Sequence, residues 1–220
     1  MRRNSTTTVA VLLAALCLAA TSTAQITKRG SGYLFQMKWE TGQVLDYRMM
    51  MSTQIGGSAA PTFSMDYKMT VGSVRDGVAD VTVSSTSPGS NKPQSQTIQM
   101  GPRGPIKDES MVSNIGAPRL PDHAIKIGGS WTASVDRGNG KMHVDSTYVF
   151  KGLKKIDGIQ CAEIDVTSVG TGVVSSKSTG TIYLMTKNGQ AYKMSMVTNI
   201  VLGTGAQQKN ATSTITIQLK

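Results

Sequence analysis

His143 and Asp145 stand two residues apart in a run that alternates apolar and polar residues, so as a strand it sends both side chains from one face. An imidazole beside a carboxylate can act as a general base or as part of a metal site, and Asp122-His123 supplies a second such pair. A hydrolase built around His143 is therefore one class to carry forward. Neither histidine has a third ligand or a nucleophile at a recognised spacing. Neighbouring polar residues on a solvent face are the simpler explanation, and no metal is assigned. Sulfur offers another chemistry. Met194 and Met196 place two thioethers on one strand face, which suits soft Cu(I), but no cluster of His or Cys supports them. Cys161 has no base beside it and reads as a structural thiol. G-x-S-x-G, H-E-x-x-H, C-x-x-C and phosphate-binding glycine loops are all absent, so no catalytic residue and no cofactor is assigned, and binding rather than catalysis is expected.

The stronger signal is apolar. Thirteen methionines stand against three phenylalanines. Met49, Met51, Met65, Met69, Met194 and Met196 fall on the apolar faces of alternating runs, beside Tyr47, Tyr67 and Tyr192. Methionine is flexible and polarizable, so such a face can remould around irregular apolar partners. These nine residues form the candidate site for a lipid-like ligand or an apolar peptide. The alternative is plain core filling in a protein poor in aromatics. Trp39 and Trp131 read as core or rim anchors.

The elements that must position these side chains are strands. Tyr33 to Trp39 alternates with Tyr33, Phe35, Met37 and Trp39 on one side, after a leader from Gln25 to Gly32 that reads as frayed. Leu45 to Ser52 and Phe63 to Val71 follow, then Val78 to Ser85 after a turn at Asp76-Gly77. Six of the seven prolines fall between Thr86 and Pro121, the least regular stretch, with a short marginal hairpin around Gly101 to Gly104 and a helical turn expected at Asp108 to Asn114. Strand patterns resume at Trp131 to Val135 and Met142 to Lys154, and an Asp157-Gly158 turn leads into Ile159 to Ser168. Ser178 to Thr186 and Gln190 to Leu202 flank Asn188-Gly189, which predicts a type I′ hairpin. Ala211 to Leu219 closes the chain. No amphipathic helix is visible among these runs. Short strands with hairpin turns predict an all-β fold, a single antiparallel and strongly curved sheet, half-barrel or barrel-like.

Composition adds a compartment. Arg2 and Arg3, an apolar run from Val9 to Ala20 and Ser22-Thr23-Ala24 have the grammar of a secretory signal, residues 1–24, followed by one β domain over 25–220. The apolar run is shorter than the roughly 20 residues a membrane-spanning helix needs, so no transmembrane segment is expected after cleavage and the protein is placed in the periplasm or outside the cell. Only Cys161 then remains, which leaves no internal disulfide. The formal charge of +10 suggests attraction to an anionic envelope polymer, and an envelope-associated structural module is the alternative function. The basic residues are spread singly and aromatics are few, which argues against nucleic acid.

Met65 to Ser85, MDYKMTVGSVRDGVADVTVSS, matches Val144 to Ser168, VDSTYVFKGLKKIDGIQCAEIDVTS. Each has an Asp near its start, a DG turn and a second strand reading A-[DE]-[VI]-x-V-[ST]-S. An internal duplication is expected, with units of about 42–113 and 128–219. The Gly-x-x-Trp start at Gly128 to Trp131, the Asp-Gly hairpin and the Asn-Gly hairpin resemble exported bacterial β-rich proteins of a domain-of-unknown-function type, over Pro121 to Leu202. The hairpin layout also resembles the half-barrel lipoprotein-carrier family, which implies a curved half-barrel.

Overall fold

A computed structural model of the chain describes residues 25–86, 93–106, 118–137, 141–172, 174–202 and 209–220. The signal segment 1–24 and the helical turn expected at Asp108 to Asn114 lie outside them. The strands are β1 (Ile26–Arg29), β2 (Gly32–Phe35), β3 (Val44–Ile55), β4 (Ser58–Ala59), β5 (Phe63–Arg75), β6 (Val78–Ser85) and β7 (Gln94–Gly101). They continue as β8 (Gly104–Pro105), β9 (Ser130–Arg137), β10 (Met142–Ile156), β11 (Ile159–Gly172), β12 (Ser175–Met185), β13 (Ala191–Leu202) and β14 (Lys209–Leu219). Among the described residues there is no helix, and every strand pairing is antiparallel.

The large sheet has 12 strands in the order β8-β7-β6-β5-β3-β14-β13-β12-β11-β10-β9, with β4 on β3. It is open, because β8 and β9 remain as edges. It is also strongly curved: Gly104 and Pro105 of β8 line the same cleft as Trp131, Thr132 and Ala133 of β9. The half-barrel expectation holds, and full closure does not occur.

Strict alternation explains which face is inside. Leu45, Tyr47, Tyr67, Met69, Val71, Val81, Ile98, Ile164, Ile182 and Ile217 join one core, while Asp46, Arg48, Asp66 and Lys68 point outward. The Asp76-Gly77 and Asp157-Gly158 turns have both central residues at positive φ, 50° and 77° in the first and 49° and 84° in the second. These are the type I′ conformations that suit twisted hairpins.

Two expectations are corrected here. Gln25 to Gly32 is not a frayed leader: Ile26 to Arg29 pairs with Gly32 to Phe35, and Ile26 is buried. The hairpin exists because its apolar side lies against the core, where Phe35 is fully buried and meets Phe150 edge-on at 5.1 Å. Beyond Phe35 the alternating residues Met37 and Trp39 are still buried, but their backbone runs across the mouths of other hairpins rather than in a sheet. The second correction concerns Asn188-Gly189, where Gly189 has φ 70° and Asn188 is not in the left-handed region, so the turn is not type I′. It is a wider loop. Asn188 Oδ1 accepts from the Gln190 amide at 3.1 Å, and Asn188 O accepts from the Lys38 amide at 2.8 Å. The loop is shaped to receive the N-terminal segment.

Candidate functional site

The concave face divides along its length. At the end bounded by the Pro102-Arg103 and Asn188-Gly189 loops, residues 36–43 lie across the trough: the Met37 amide donates to Pro102 O at 2.6 Å, and Trp39 Nε1 donates to Gly101 O at 3.2 Å. Gln190, 2% exposed, holds this segment from below. Its side chain donates to Lys38 O at 2.9 Å and forms a reciprocal amide pair with Gln43 at 2.9 and 3.1 Å, which satisfies a polar group that would be costly to bury alone. No apolar pattern marks Gln190 in the sequence; a lone glutamine after Asn-Gly gives no signal of burial.

Most of the predicted tyrosine and methionine set lies on this concave face, in two environments. Tyr47, Tyr67, Met69 and Met194 are buried beneath the N-terminal segment. The Tyr47 and Tyr67 rings stack at 5.1 Å, and Tyr47 OH donates to Ala191 O at 2.9 Å. Burial pushes both phenols far above their ordinary pKa, with the neighbouring Tyr47 adding to the effect at Tyr67. Only a cavity of about 40 Å³ remains among them, so this half is packed core.

Met49, Met51, Met65 and Met196 are half-buried farther along the same face. Met51, Met194 and Met196 line a cavity of about 390 Å³ with Tyr148, Val166 and Ile215, a volume within the usual range of about 300–1,000 Å³ for ligand pockets. Among the described residues no charged one lines it. Its walls also include Ser146, Ser168, Ser176, Ser178, Thr198 and Ser213, which an apolar pattern does not mark. They occupy the same alternate positions as the apolar residues, but a search for methionine and aromatics passes over small hydroxyls.

Tyr192 does not belong to the site. Tyr183 pairs with Lys193 but Leu184 with Ala191, so the bulge skips Tyr192 and turns it onto the convex face. There its hydroxyl donates to Asp157 Oδ2 at 2.9 Å. Cys161, fully buried, neighbours the same Asp157, and burial together with that charge pushes its thiol up to about 11. It therefore stays protonated and unreactive near neutral pH.

His143 is exposed on the outer face of β10. Its Nδ1 lies 2.7 Å from Asp136 Oδ1 and its Nε2 3.2 Å from Asp145 Oδ1. The hydrogen bond to Asp136, then the charge of Asp145, raise its pKa and favour the imidazolium. A ring whose nitrogens both face carboxylates is poorly placed to accept a proton from a nucleophile, which weakens the hydrolase reading. Asp122 and His123 pair with each other at 2.7 Å. Among the described residues no three His, Cys, Asp or Glu come together as a metal-holding group, and no helix is long and apolar enough to cross a membrane.

No family model matches the chain, and no curated protein matches it. Among solved structures it is similar to the hypothetical lipoprotein YmcC from Escherichia coli, at 14% identity over 78% of this chain and 86% of that one, with a TM-score of 0.30. A DUF1329 family protein from Desulfovibrio piger is similar at 11% identity, covering 82% and 87%, with a TM-score of 0.21. A LolA superfamily protein from Nitrosomonas europaea follows at 12%, covering 84% and 89%, with a TM-score of 0.20. These are the two classes that the hairpin layout resembles, and likeness of this degree does not reach to a ligand or an activity.

Proposed function

We propose that the protein binds an apolar, lipid-like ligand in the open half of its trough, outside the cytoplasm, and performs no catalysis. The observation that carries this is the cavity of about 390 Å³ on the concave face, walled by Met51, Met194 and Met196 and with no charged side chain among its described lining. An apolar cavity of this size favours a guest that would otherwise expose hydrocarbon to water, at roughly 25 cal/mol per Å² covered. The methionines suit a guest of irregular or variable shape. Met49 and Met65, half-buried between the two halves, complete the wall as the guest settles.

The extracytoplasmic placement follows from the signal-like residues 1–24. The proposal extends to the architecture, one β domain over 25–220 made from two related units. Two features support it: the paired type I′ Asp-Gly turns, and a bulge in the strand before each, between Val71 and Ser73 in β5 and between Phe150 and Gly152 in β10.

The test is titration of the purified protein with N-phenylnaphthylamine, whose fluorescence rises in apolar surroundings. Saturable enhancement in the wild type, lost in Met196→Gln, is the expected result; no enhancement in the wild type removes the reading. Raising salt should leave the affinity unchanged, whereas capture of an anionic polymer by exposed charge would weaken sharply.

A further inference from the structure

We infer that the trough takes an acyl chain joined through a neutral ester or amide linkage, whose carbonyl docks on a belt of hydroxyls crossing the concave face at one level. This rests on the binding reading above and adds the ligand's chemistry to it. The strand register places the belt. Ser146 faces Ser168, Ser168 faces Ser178, Ser178 faces Thr198, Thr198 faces Ser213, and Ser213 faces Thr53. One hydroxyl thus comes from each of β10, β11, β12, β13, β14 and β3, in an unbroken cross-strand row. The next rung toward the packed half is Tyr148, Val166, Gly180, Met196, Ile215 and Met51. On the mouth side the belt is followed by Val144, Gly170, Ser176, Ile200, Ala211 and Ile55, a rung with a single hydroxyl. A complete ring of hydroxyls therefore lies between two rungs that are mainly apolar.

The belt is partly self-satisfied. Ser146 Oγ lies 2.8 Å from Ser168 Oγ, Ser178 Oγ lies 2.9 Å from Thr198 Oγ1, and Thr53 Oγ1 donates to Ser213 Oγ at 3.3 Å. A hydroxyl carries a single O–H, so each pair consumes one donor and keeps one. Among the described residues no side chain takes up that second donor. Cross-strand hydroxyl pairs stabilise a sheet wherever they occur, but pairing does not require all three to share one level on the inward face. A guest that passes the level with a carbonyl oxygen satisfies donors that plain hydrocarbon would leave facing nothing.

Charge selects among polar groups. With no Lys or Arg among the described lining residues, a carboxylate or phosphate at the belt would lose its water with no counter-charge from them, whereas an ester or amide carbonyl loses far less. The rung below is shaped for the chain beyond the carbonyl. A Cβ at Gly180 would collide with Ser195 O and the Met196 side chain, so only glycine lets the Met196 thioether lie across β12 just beneath the hydroxyls.

The experiment compares two competitors for bound N-phenylnaphthylamine: monodecanoylglycerol, and decyl glyceryl ether, which keeps the chain and head and lacks the carbonyl. The ester should displace the probe at a concentration about fivefold lower than the ether, the worth of one neutral hydrogen bond. Removing both members of every pair, Ser146→Ala with Ser168→Ala, Ser178→Ala with Thr198→Val and Ser213→Ala with Thr53→Val, should abolish that preference, and Thr198→Ser should keep it. If that variant fails to fold, the two-residue variants Ser146→Ala/Ser168→Ala and Ser178→Ala/Thr198→Val decide, since each removes a whole pair and the preference must fall in at least one of them. Equal displacement by the two competitors in the wild type, or a preference untouched by the folded variants, overturns the belt while leaving the apolar reading intact. A wild type that takes up no probe overturns both.

Discussion

The two halves of the trough are built from the same strands with the same alternation, and they differ in what lies against them. In one half, Met37 and Trp39 descend from the N-terminal segment onto Tyr47, Tyr67 and Met194, leaving about 40 Å³ unfilled. In the other, the alternate positions shrink to serine and threonine, nothing among the described residues crosses above them, and about 390 Å³ remains. Large side chains plus a crossing segment make core; small side chains without one make a site. Met194 borders both cavities and marks the divide.

Damage to the packed half should therefore be read in stability and damage to the open half in binding. Phe35→Ala removes a fully buried ring from the packed half and should cost about 3–5 kcal/mol in urea unfolding. Gly189→Ala should cost about 1–3 kcal/mol, because Gly189 has φ 70° and a Cβ there would press on Gln36 O and the Met37 backbone. Hydrogen exchange should show residues 25–43 loosening first in this variant. Tyr47→Phe leaves the Ala191 carbonyl without its donor and should cost about 1–2 kcal/mol, read as a lower melting temperature. Met196→Gln, in the open half, should abolish uptake of the naphthylamine probe while shifting stability by less than about 1 kcal/mol, since Met196 is only half-buried. A large stability loss here, or intact binding, would erase the distinction between the halves.

The smallest effect belongs to neither half and serves as the control. His143, outside the trough on β10, has its folded pKa raised above 6.5 by Asp136 and Asp145. Its stabilisation is therefore complete below the unfolded pKa and fades as pH rises through the folded one. Because the ring is exposed, the difference between wild type and His143→Gln should be small, visible in mildly acidic solution and absent at alkaline pH. NMR titration of the ring should give a midpoint above 6.5.

Much of the sheet was legible because one buried face writes itself into every second residue. Leu45, Tyr47, Tyr67, Met69 and Val71 fall inside as their alternation requires. Period two fails as a guide where the backbone inserts a residue, and the bulge at Tyr192 sent one predicted site residue to the wrong face. It is also silent about depth. Nothing in their spacing distinguishes Met49 and Met51 from Leu45 and Tyr47, yet the first two are half-buried and the latter two buried. The hydroxyl belt escaped because its members are scattered from Thr53 to Ser213 and look like ordinary polar strand residues one at a time.

Local chemistry by itself determined that this chain pairs strands through Asp-Gly turns, keeps one face dry, and enriches that face in methionine. Those are contacts between near neighbours, where side-chain period and backbone torsion are enough. Only the tertiary structure decided which part of the dry face would be sealed, because the seal comes from residues 36–43 meeting loops at 101–104 and 188–190. Such contacts depend on how the whole sheet bends, and no single stretch of sequence contains that curvature.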